Sequence, residues 1–237
     1  MQRFKIINQT WSLIPARSGS KSIKDKNLKK IKGLSLIARA IKVSKKSKQI
    51  NRTFLSTDSK KYKKEGLKFK AEVPFLRSKK NSKDNSTDYD VIFEFLKALI
   101  KKGNIIPKYI IYLRPTTPIR SSNLIDTAIR KFKKLRNYDS LVTVHKMNEP
   151  VHKKFFIKKG LLKPIFSKLS LDEANKPRQN FPESFTANGY LDIIKSENIF
   201  KNKYLSKKCF AFKIPQTIDI DSEIDLLFAR LIKNQLK

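Results

Sequence analysis

The sequence predicts an α/β protein in which helices cover both faces of a mostly parallel sheet. Apolar runs of strand length alternate with segments whose apolar residues recur every three or four positions. One run, residues 109–113, is almost continuously apolar, as expected of a central strand covered on both faces. The alternating order implies parallel strands joined by crossover helices, a three-layer Rossmann-like architecture. The 237 residues suffice for one such domain with a full core.

The elements follow from local patterns. Strands are predicted at the apolar runs over residues 11–16, 53–57, 71–75, 109–113, 140–144, 189–194 and 209–214. Helices are predicted where apolar residues share one helical face: Leu36, Ile37, Ala40 and Ile41; Val91, Ile92, Phe95, Leu96, Leu99 and Ile100; Leu124, Ile125, Ala128, Ile129 and Phe132. A short polar helix is expected after the second strand. Ser122 is expected to cap the helix that contains Leu124 to Phe132.

The alternation breaks over about residues 146–187, which are rich in Lys, Pro and aromatic residues. We interpret this stretch as an arm or lobe inserted into a single domain spanning 1–237, and as a site of dimerisation. A plain surface excursion is the alternative, although loops of this length are uncommon in compact domains.

The net charge of +34 first suggests a nucleic-acid partner. Lysine is spread over the whole chain, however, and outnumbers arginine 43 to 11, whereas base readout relies on arginine. We therefore expect no nucleic-acid partner and attribute the charge mainly to a bias towards AT-rich codons, although a positive field also steers anionic substrates.

Other classes are excluded by what the sequence lacks. Cys209 is the single cysteine, so no internal disulfide or cysteine-based metal cluster is expected, and two histidines are too few for a histidine metal site. The first ten residues do not resemble a signal peptide, and no run approaches the ~18 apolar residues of a membrane span. We expect a cytoplasmic protein without a membrane partner.

The first chemical signal is the loop after the first strand, which reads Ile-Pro-Ala-Arg-Ser-Gly-Ser-Lys from position 14. Its small residues expose backbone N–H groups, and Arg17, Lys21 and Lys26 add positive charge. Together these features form a nest for a polyphosphate. A basic surface turn is the alternative. The loop is not a P-loop, because no Gly-Lys-Ser/Thr follows.

The second signal is the segment from Thr217 to Asp225. If it forms a strand, Asp219 and Asp221 share one face while Ile218 and Ile220 point into the core. Two carboxylates so arranged suit Mg²⁺, which completes its shell with water and phosphate oxygens. An acidic loop that merely caps the next helix is the alternative. That helix is expected to be amphipathic, with its apolar face formed by Ile224, Leu227, Phe228, Leu231 and Ile232.

Three weaker signals concern a second ligand. Arg114 and Thr116 directly follow the central strand, at the end of the sheet where open parallel sheets bind ligands. They could therefore contact a ligand, and the alternative is that they only form a proline-shaped turn before the next helix. Arg178 could hold a carboxylate in a bidentate fork or simply lie exposed. Asn188 could bond a ligand or its own backbone in a tight turn.

Taken together and in order, these segments resemble the acylneuraminate cytidylyltransferase family, the CMP-sialic acid synthetases. The matching pieces span nearly the whole chain: IPARSGSK from Ile14, Lys26-Asn27, Ser56-Thr57-Asp58, AEVPFLR from Ala71, RPTTPIR from Arg114, Pro177-Arg178-Gln179, Asn188-Gly189 and IDID from Ile218.

The resemblance implies a nucleotide-diphospho-sugar transferase fold and a homodimer built through the inserted arm. It implies that CTP and an acidic nine-carbon sugar, a nonulosonic acid, give a CMP-sugar and pyrophosphate with Mg²⁺. The site residues that it implies are Arg17, Lys21 and Lys26, with Ala16 and Ser20, at the triphosphate; Asn27 and Arg77 at the nucleoside; Asp219 and Asp221 at the metal; and Arg114, Thr116, Arg178 and Asn188 at the sugar. Arg17, Lys26 and Asp221 are the expected catalytic residues.

Some positions depart from the family pattern. Ser22 replaces a usual glycine, Arg114 stands where glutamine is common, and Asp192 stands where many members have an aromatic residue; His152 lies where some members have a lysine. The phosphate and metal ends therefore match the family, whereas the sugar end is altered. Sialic, legionaminic and pseudaminic acids stay open as substrates. The alternatives are a Kdo-type or other sugar nucleotidyltransferase, a nucleotide-binding relative without turnover, and a basic nucleic-acid-binding protein.

Overall fold

The computed structural model of the protein describes residues 4–232. The strands are β1 (Lys5–Pro15), β2 (Lys30–Ile31), β3 (Leu34–Ser35), β4 (Arg52–Ser56), β5 (Ile105–Tyr112), β6 (Ser140–Lys146), β7 (Phe155–Lys158), β8 (Leu161–Pro164), β9 (Phe185–Lys195) and β10 (Cys209–Lys213). The helices are α1 (Leu36–Lys46), α2 (Lys60–Lys68), α3 (Asp88–Gly103), α4 (Ser122–Lys134), α5 (Leu171–Ala174), α6 (Ser196–Ile199) and α7 (Glu223–Leu231). Short 3₁₀ turns occur at Lys26–Leu28, Lys80–Ser82, Val151–Lys153 and Arg178–Asn180.

The central sheet has the strand order β10-β6-β9-β5-β1-β4. Strand β1 runs parallel to β4 on one side and to β5 on the other, whereas β9 is antiparallel to β5. The predicted α/β class with a mostly parallel sheet is therefore confirmed. The carboxyl ends of β1, β4 and β5 meet at one edge of the sheet, because parallel strands point the same way.

Two buried clusters hold this edge together. One joins Leu13 of β1, Phe54 of β4, Tyr112 of β5 and Phe95 of α3. The other joins Ile23, Ile31, Leu36, Ile220 and Leu226. Burying each such side chain stabilises the fold by roughly 1.5–3 kcal/mol. The second cluster thus anchors the segment before α7 to the loop that follows β1.

The chain divides into two compact units. Within the described residues, the main unit comprises 4–143, 189–212 and 217–232, and the lobe comprises Val144–Asn188 and Lys213–Gln216. In the lobe, β7 and β8 form an antiparallel hairpin, and the ring of His152 stacks between those of Phe166 and Phe181. That the lobe is an inserted dimerisation arm stays a prediction. Across residues 4–232, no helix has both the length and the apolar character needed to cross a membrane.

Two predicted strands were wrong. Residues 71–75 make only a single bridge, between Glu72 and Phe54, because Pro74 lacks the N–H group that a longer ladder needs. Residues 217–221 form no strand, because Ile220 is drawn into the second cluster and donates its backbone N–H to Thr116 O at 2.8 Å. The alternation survives in this irregular segment, with Ile220 buried between exposed Asp219 and Asp221.

Two details of the helices also differ from the prediction. Helix α4 starts at Ser122, so the flanking residue is Ser121, whose side chain makes no capping hydrogen bond. Helix α7 was expected to bury Ile224 and its stripe. Instead it buries Leu226 and Ala229, and the exposed residues are Ile224, Leu227, Phe228 and Leu231. The helix is apolar around most of its circumference, so periodicity alone does not select the buried face.

Candidate functional site

A cleft of about 220 Å³ opens at the carboxyl ends of β1 and β5, in the main unit. Ligands of open parallel sheets bind in this position. The predicted site residues that line it together are Arg17, Ser20, Lys26, Asn27, Arg77, Arg114 and Thr116. A larger cavity near Lys108, Lys133 and Lys195 holds none of the predicted site residues.

The loop after β1 is fixed by its neighbours. Asp58, just beyond β4, accepts hydrogen bonds from the backbone N–H and the hydroxyl of Ser18, at 2.8 and 2.6 Å. The amide side chain of Asn27 donates to Arg17 O at 3.2 Å. The N–H of Ala16 donates to Ser56 O at 2.9 Å, and the predicted place of Ala16 at the triphosphate stays a prediction.

Two cations of the loop share one carboxylate that the sequence prediction missed. Arg17 Nη2 lies 2.7 Å from Asp84 Oδ1, and Lys21 Nζ lies 2.6 Å from Asp84 Oδ2. The adjacent Lys21 and Arg17 lower the pKa of Asp84. The sequence signal for this contact was an isolated acid directly after the lysine-rich stretch from Lys79 to Lys83. Asp84 therefore pairs with both of the loop cations that are predicted to hold the triphosphate.

Lys26 connects the loop to the C-terminal acidic segment. Its ammonium donates to Ile220 O at 2.8 Å and to Asp221 Oδ1 at 3.1 Å. The Lys26 side chain is 11% exposed, whereas that of Asp221 is 79% exposed. The cation is thus held by the protein, while the carboxylate stays accessible to a ligand.

Asp219 and Asp221 fit a hard cation that takes few protein ligands. Both are exposed, and Asp219 Oδ1 accepts a hydrogen bond from the Thr117 hydroxyl at 3.4 Å. Residues 4–232 contain no group of three or more His, Cys, Asp and Glu side chains that could enclose a metal. The donor set matches Mg²⁺, which binds through one or two carboxylates and completes its shell with substrate phosphates and water.

Arg77 is a buried cation with unused donors. It is 6% exposed, and its Nε and Nη2 atoms have no hydrogen-bond partner among the described residues. Burial lowers the pKa of this guanidinium. Unpaired buried donors are costly, and because Arg77 lines the cleft, a ligand acceptor would remove that cost.

Arg114 is not a free cation. Its guanidinium lies 2.6 Å from Asp88 Oδ2 and 2.8 Å from Asp192 Oδ2, and it donates to the Tyr204 hydroxyl at 3.2 Å. Burial by itself lowers the pKa of Arg114, but the carboxylates, above all that of Asp192, raise it above its ordinary value. Two of the sequence positions that depart from the family pattern, Arg114 and Asp192, are therefore direct partners.

Arg120 is a second residue that the prediction missed. Its guanidinium donates to Arg114 O at 2.7 Å, Tyr190 O at 2.6 Å and Gly189 O at 2.9 Å, and also to Thr117 O. Burial lowers its pKa to about 10, so the side chain stays charged at neutral pH. Arg120 thus ties the loop after β5 to β9.

The two remaining predicted residues belong to the lobe. Arg178 lies exposed in the 3₁₀ turn Arg178–Asn180, and Asn188 is buried in β9. Their predicted roles at the sugar stay predictions.

Comparison with known proteins identifies the family of the chain. Residues 12–219 match the family model described as cytidylyltransferase. The chain is 30% identical to the CMP-N,N'-diacetyllegionaminic acid synthase of Legionella pneumophila, over 90% of this chain and 91% of that protein. It is 29% identical to post-translational flagellin modification protein B of Campylobacter coli, over 90% and 89% of the two chains. It is 26% identical to the N-acylneuraminate cytidylyltransferase of Escherichia coli, over 98% of this chain but 53% of that longer protein.

Solved structures show the same fold. The chain aligns with CMP:2-keto-3-deoxy-manno-octonic acid synthetase complexed with CTP at a TM-score of 0.69 and 14% identity, over 94% and 97% of the two chains. It aligns with the 4-diphosphocytidyl-2C-methyl-D-erythritol synthase of Anaerococcus prevotii at a TM-score of 0.62 and 14% identity, again over 94% and 97%. The predicted fold and nucleotidyltransferase class are thus confirmed, and the chain belongs to the cytidylyltransferase family.

Proposed function

We propose that the protein activates a nonulosonic acid with CTP, forming the CMP-sugar and releasing pyrophosphate. The observation that carries the proposal is the cleft that brings Arg17, Lys26 and the buried Arg77 together, with Asp221 held against Lys26. The named relatives, which include a legionaminic and an N-acylneuraminate enzyme, support this class of sugar.

In the proposed reaction, the anomeric hydroxyl of the sugar attacks the α-phosphorus of CTP, and the bond to the pyrophosphate oxygen breaks. Negative charge grows on the phosphate oxygens and on the leaving pyrophosphate. Lys26 is already oriented by Ile220 O, so it stabilises this charge without reorganisation. Arg17 and Lys21 hold the triphosphate once Asp84 gives up their side chains. Positioning of the two reactants lowers the barrier further.

Asp219 and Asp221 are the residues that would hold Mg²⁺. The bound ion would neutralise phosphate charge as a Lewis acid. We further propose that the Asp221 carboxylate takes up the proton of the attacking hydroxyl, a role that its exposed position allows.

Pyrophosphate release tests the reaction. We would supply CTP, Mg²⁺ and one acid at a time from a panel of sialic, legionaminic and pseudaminic acids and Kdo, with Asp219→Ala as the control variant. Release with one nonulosonic acid, lost in the variant, supports the proposal and identifies the sugar. Release with Kdo alone, or no binding of CTP by the folded protein, contradicts it.

The metal role has its own test. Asp221→Asn should raise the Mg²⁺ concentration that gives half-maximal activity by tenfold or more. Glu223→Gln is the matched control, because it removes the same charge two residues away in the first turn of α7. Unchanged turnover of Asp221→Asn at all Mg²⁺ concentrations excludes both the ligand and the base role.

Arg178 is the proposed partner of the sugar carboxylate. Arg178→Ala should raise the KM for the sugar at least tenfold and leave the KM for CTP unchanged, since a charge-assisted bidentate contact is lost. Arg130→Ala, an exposed arginine in α4, is the control. Equal changes in both KM values would argue against a specific sugar contact.

We also propose a homodimer formed through the lobe. The hairpin of β7 and β8 exposes Phe156, Ile157, Leu161 and Leu162, and Ile157 lies directly opposite Leu162 in the register, so these two apolar side chains share one exposed face. An exposed apolar pair of this kind suits an interface with a second copy of the chain. Ile157→Asp should shift the protein to a monomer in sedimentation velocity. Ile224→Asp is a matched control in α7, because Ile157 and Ile224 are 77% and 78% exposed. A monomeric wild type would contradict the proposal.

We also propose a cytoplasmic location, as predicted above, because the proposed reaction uses CTP.

A further inference from the structure

A cavity of about 600 Å³ lies in the main unit, away from the cleft in which the proposed reaction takes place. Asn8 of β1 lines this cavity, whereas Pro15 of the same strand lines the cleft. The strand between these two residues spans roughly 20 Å, at about 3.3 Å per residue. The volume falls within the ~300–1,000 Å³ that is usual for small-molecule sites. The cavity is therefore large enough for a ligand of its own.

Positive side chains from three separate elements line this cavity. They are Lys108 of β5, Lys195 of β9, and Lys133 and Arg136 at the end of α4 and just after it. The dipole of α4 favours cations at its C-terminal end, but it does not account for the two lysines on strands. The antiparallel register sets Lys195 directly opposite Tyr109, and Lys108 Nζ lies 5.5 Å from the centroid of the same ring. The fold thus gathers these cations around one tyrosine.

The protein itself neutralises little of this charge. Of the four cations, Lys195 is the one that has a carboxylate partner among the described residues, Asp139 at 3.8 Å. Glu197 is the single carboxylate that lines the cavity. Lys133 donates to the uncharged side chain of Gln49 at 3.2 Å, and desolvation lowers the pKa of its ammonium. Like charges repel more strongly where water is partly excluded, so a bound anion would stabilise this arrangement.

Apolar surface lies beside the cations. Ile6 is 40% exposed, and the half-buried Leu135 and the ring of Tyr109 also line the cavity. Phosphate oxygens accept charge-assisted hydrogen bonds from lysine and arginine, and an organic body can cover the apolar side chains. The lining therefore matches a ligand that carries both parts.

We propose that this cavity is a second anion site, which binds an organic phosphate of nucleotide size outside the cleft. The cations hold the phosphate groups, and Ile6, Tyr109 and Leu135 contact the organic part. This site does not depend on the proposed reaction, because none of its residues lines the cleft.

Lysine labelling tests the site directly. The protein is treated with acetic anhydride at increasing concentrations of CMP or CTP, and peptide mass spectrometry measures the label on each lysine. Labelling of Lys108, Lys133 and Lys195 should fall to a plateau. Lys131, an exposed lysine of α4 that does not line the cavity, should keep its labelling. Inorganic phosphate at the same ionic strength is the comparison ligand. If it protects these lysines as well as the nucleotides do, the site binds any anion and the inference is wrong.

A matched pair of arginine variants locates the contact. Arg136→Ala should raise the nucleotide concentration that half-protects Lys108 and Lys195 by roughly tenfold, because a charge-assisted hydrogen bond is lost. Arg130→Ala, in the exposed part of α4, should leave that concentration unchanged. Lys21 reports the cleft in the same experiment, so a failure of the proposed use of CTP appears there and not at the cavity. Full labelling of the cavity lysines at every nucleotide concentration, or equal protection in Arg136→Ala and the wild type, overturns the inference.

Discussion

Nζ of Lys26 lies 3.1 Å from Oδ1 of Asp221, although 195 residues separate the two in the chain. The contact exists because Ile23 and Ile220 share a buried cluster that pulls the C-terminal segment against the first loop. The pairing places the cation that we propose for the phosphate beside a carboxylate that we propose for the metal. The two halves of the proposed chemistry are thus assembled by apolar packing.

Loss of the Lys26 ammonium should impair catalysis more than binding. Lys26→Met should lower kcat/KM by about 10²–10³, the usual cost of removing one preorganised donor to a developing anion. Lys24→Met, an exposed change in the same loop, is the control and should stay near wild type. Steady-state kinetics at saturating Mg²⁺ measure both. Equal effects of the two substitutions would show that only the general charge of the loop matters.

Asp84 should compete with the triphosphate for Arg17 and Lys21. Asp84→Asn frees both cations, so the KM for CTP should fall by roughly two- to fivefold, in line with the small worth of exposed ion pairs. Glu197→Gln makes the same charge change at an exposed position outside the cleft. A higher KM in Asp84→Asn would mean that Asp84 instead holds the loop in its binding geometry.

Removal of Asp192 should destabilise the fold. Asp192→Ala removes a buried carboxylate and leaves the partly buried guanidinium of Arg114 with Asp88 as its remaining carboxylate partner, and breaking such a pair costs roughly 3 kcal/mol. Urea unfolding monitored by circular dichroism measures the loss. Glu183→Ala, which breaks the exposed pair with Lys146, should leave the unfolding midpoint nearly unchanged. Similar urea midpoints for both variants would show that the ion pairs of Arg114 contribute little to the stability of the fold.

Substitution of Gly189 by alanine should destabilise the protein more than the same substitution of Gly160, which has a similar backbone conformation. The φ of Gly189 is +67°, and an added Cβ would lie 3.0 Å from the Thr117 hydroxyl. Gly160 has φ +77° but no atom within 4 Å of an added Cβ, so Gly160→Ala reports the backbone strain alone, about 1 kcal/mol. Gly189→Ala should lower the midpoint of thermal unfolding more than Gly160→Ala does. It should also reduce activity, because the Thr117 hydroxyl that the new Cβ would displace donates a hydrogen bond to Asp219. Equal losses in the two variants would exclude the contact with Thr117.

The pattern of the sequence determined much of this protein by itself. The order of the six strands of the central sheet and of helices α1 to α4, the small-residue loop with Arg17 and Lys26, and the neighbouring Asp219 and Asp221 could be predicted, because periodicity and loop composition are local properties. The family could be predicted because short motifs occur in a fixed order along the whole chain.

Only the tertiary structure decided which side chains meet. The ion pair of Arg114 with Asp192 and the hydrogen bond from Arg120 to Tyr190 O join residues far apart in the chain. The burial of Arg77 with unused donors likewise depends on distant residues. No local pattern specifies them, since partners are chosen by packing and by the need to satisfy buried charge. The face that α7 buries was decided in the same way, because a helix apolar on most sides takes its orientation from its neighbours.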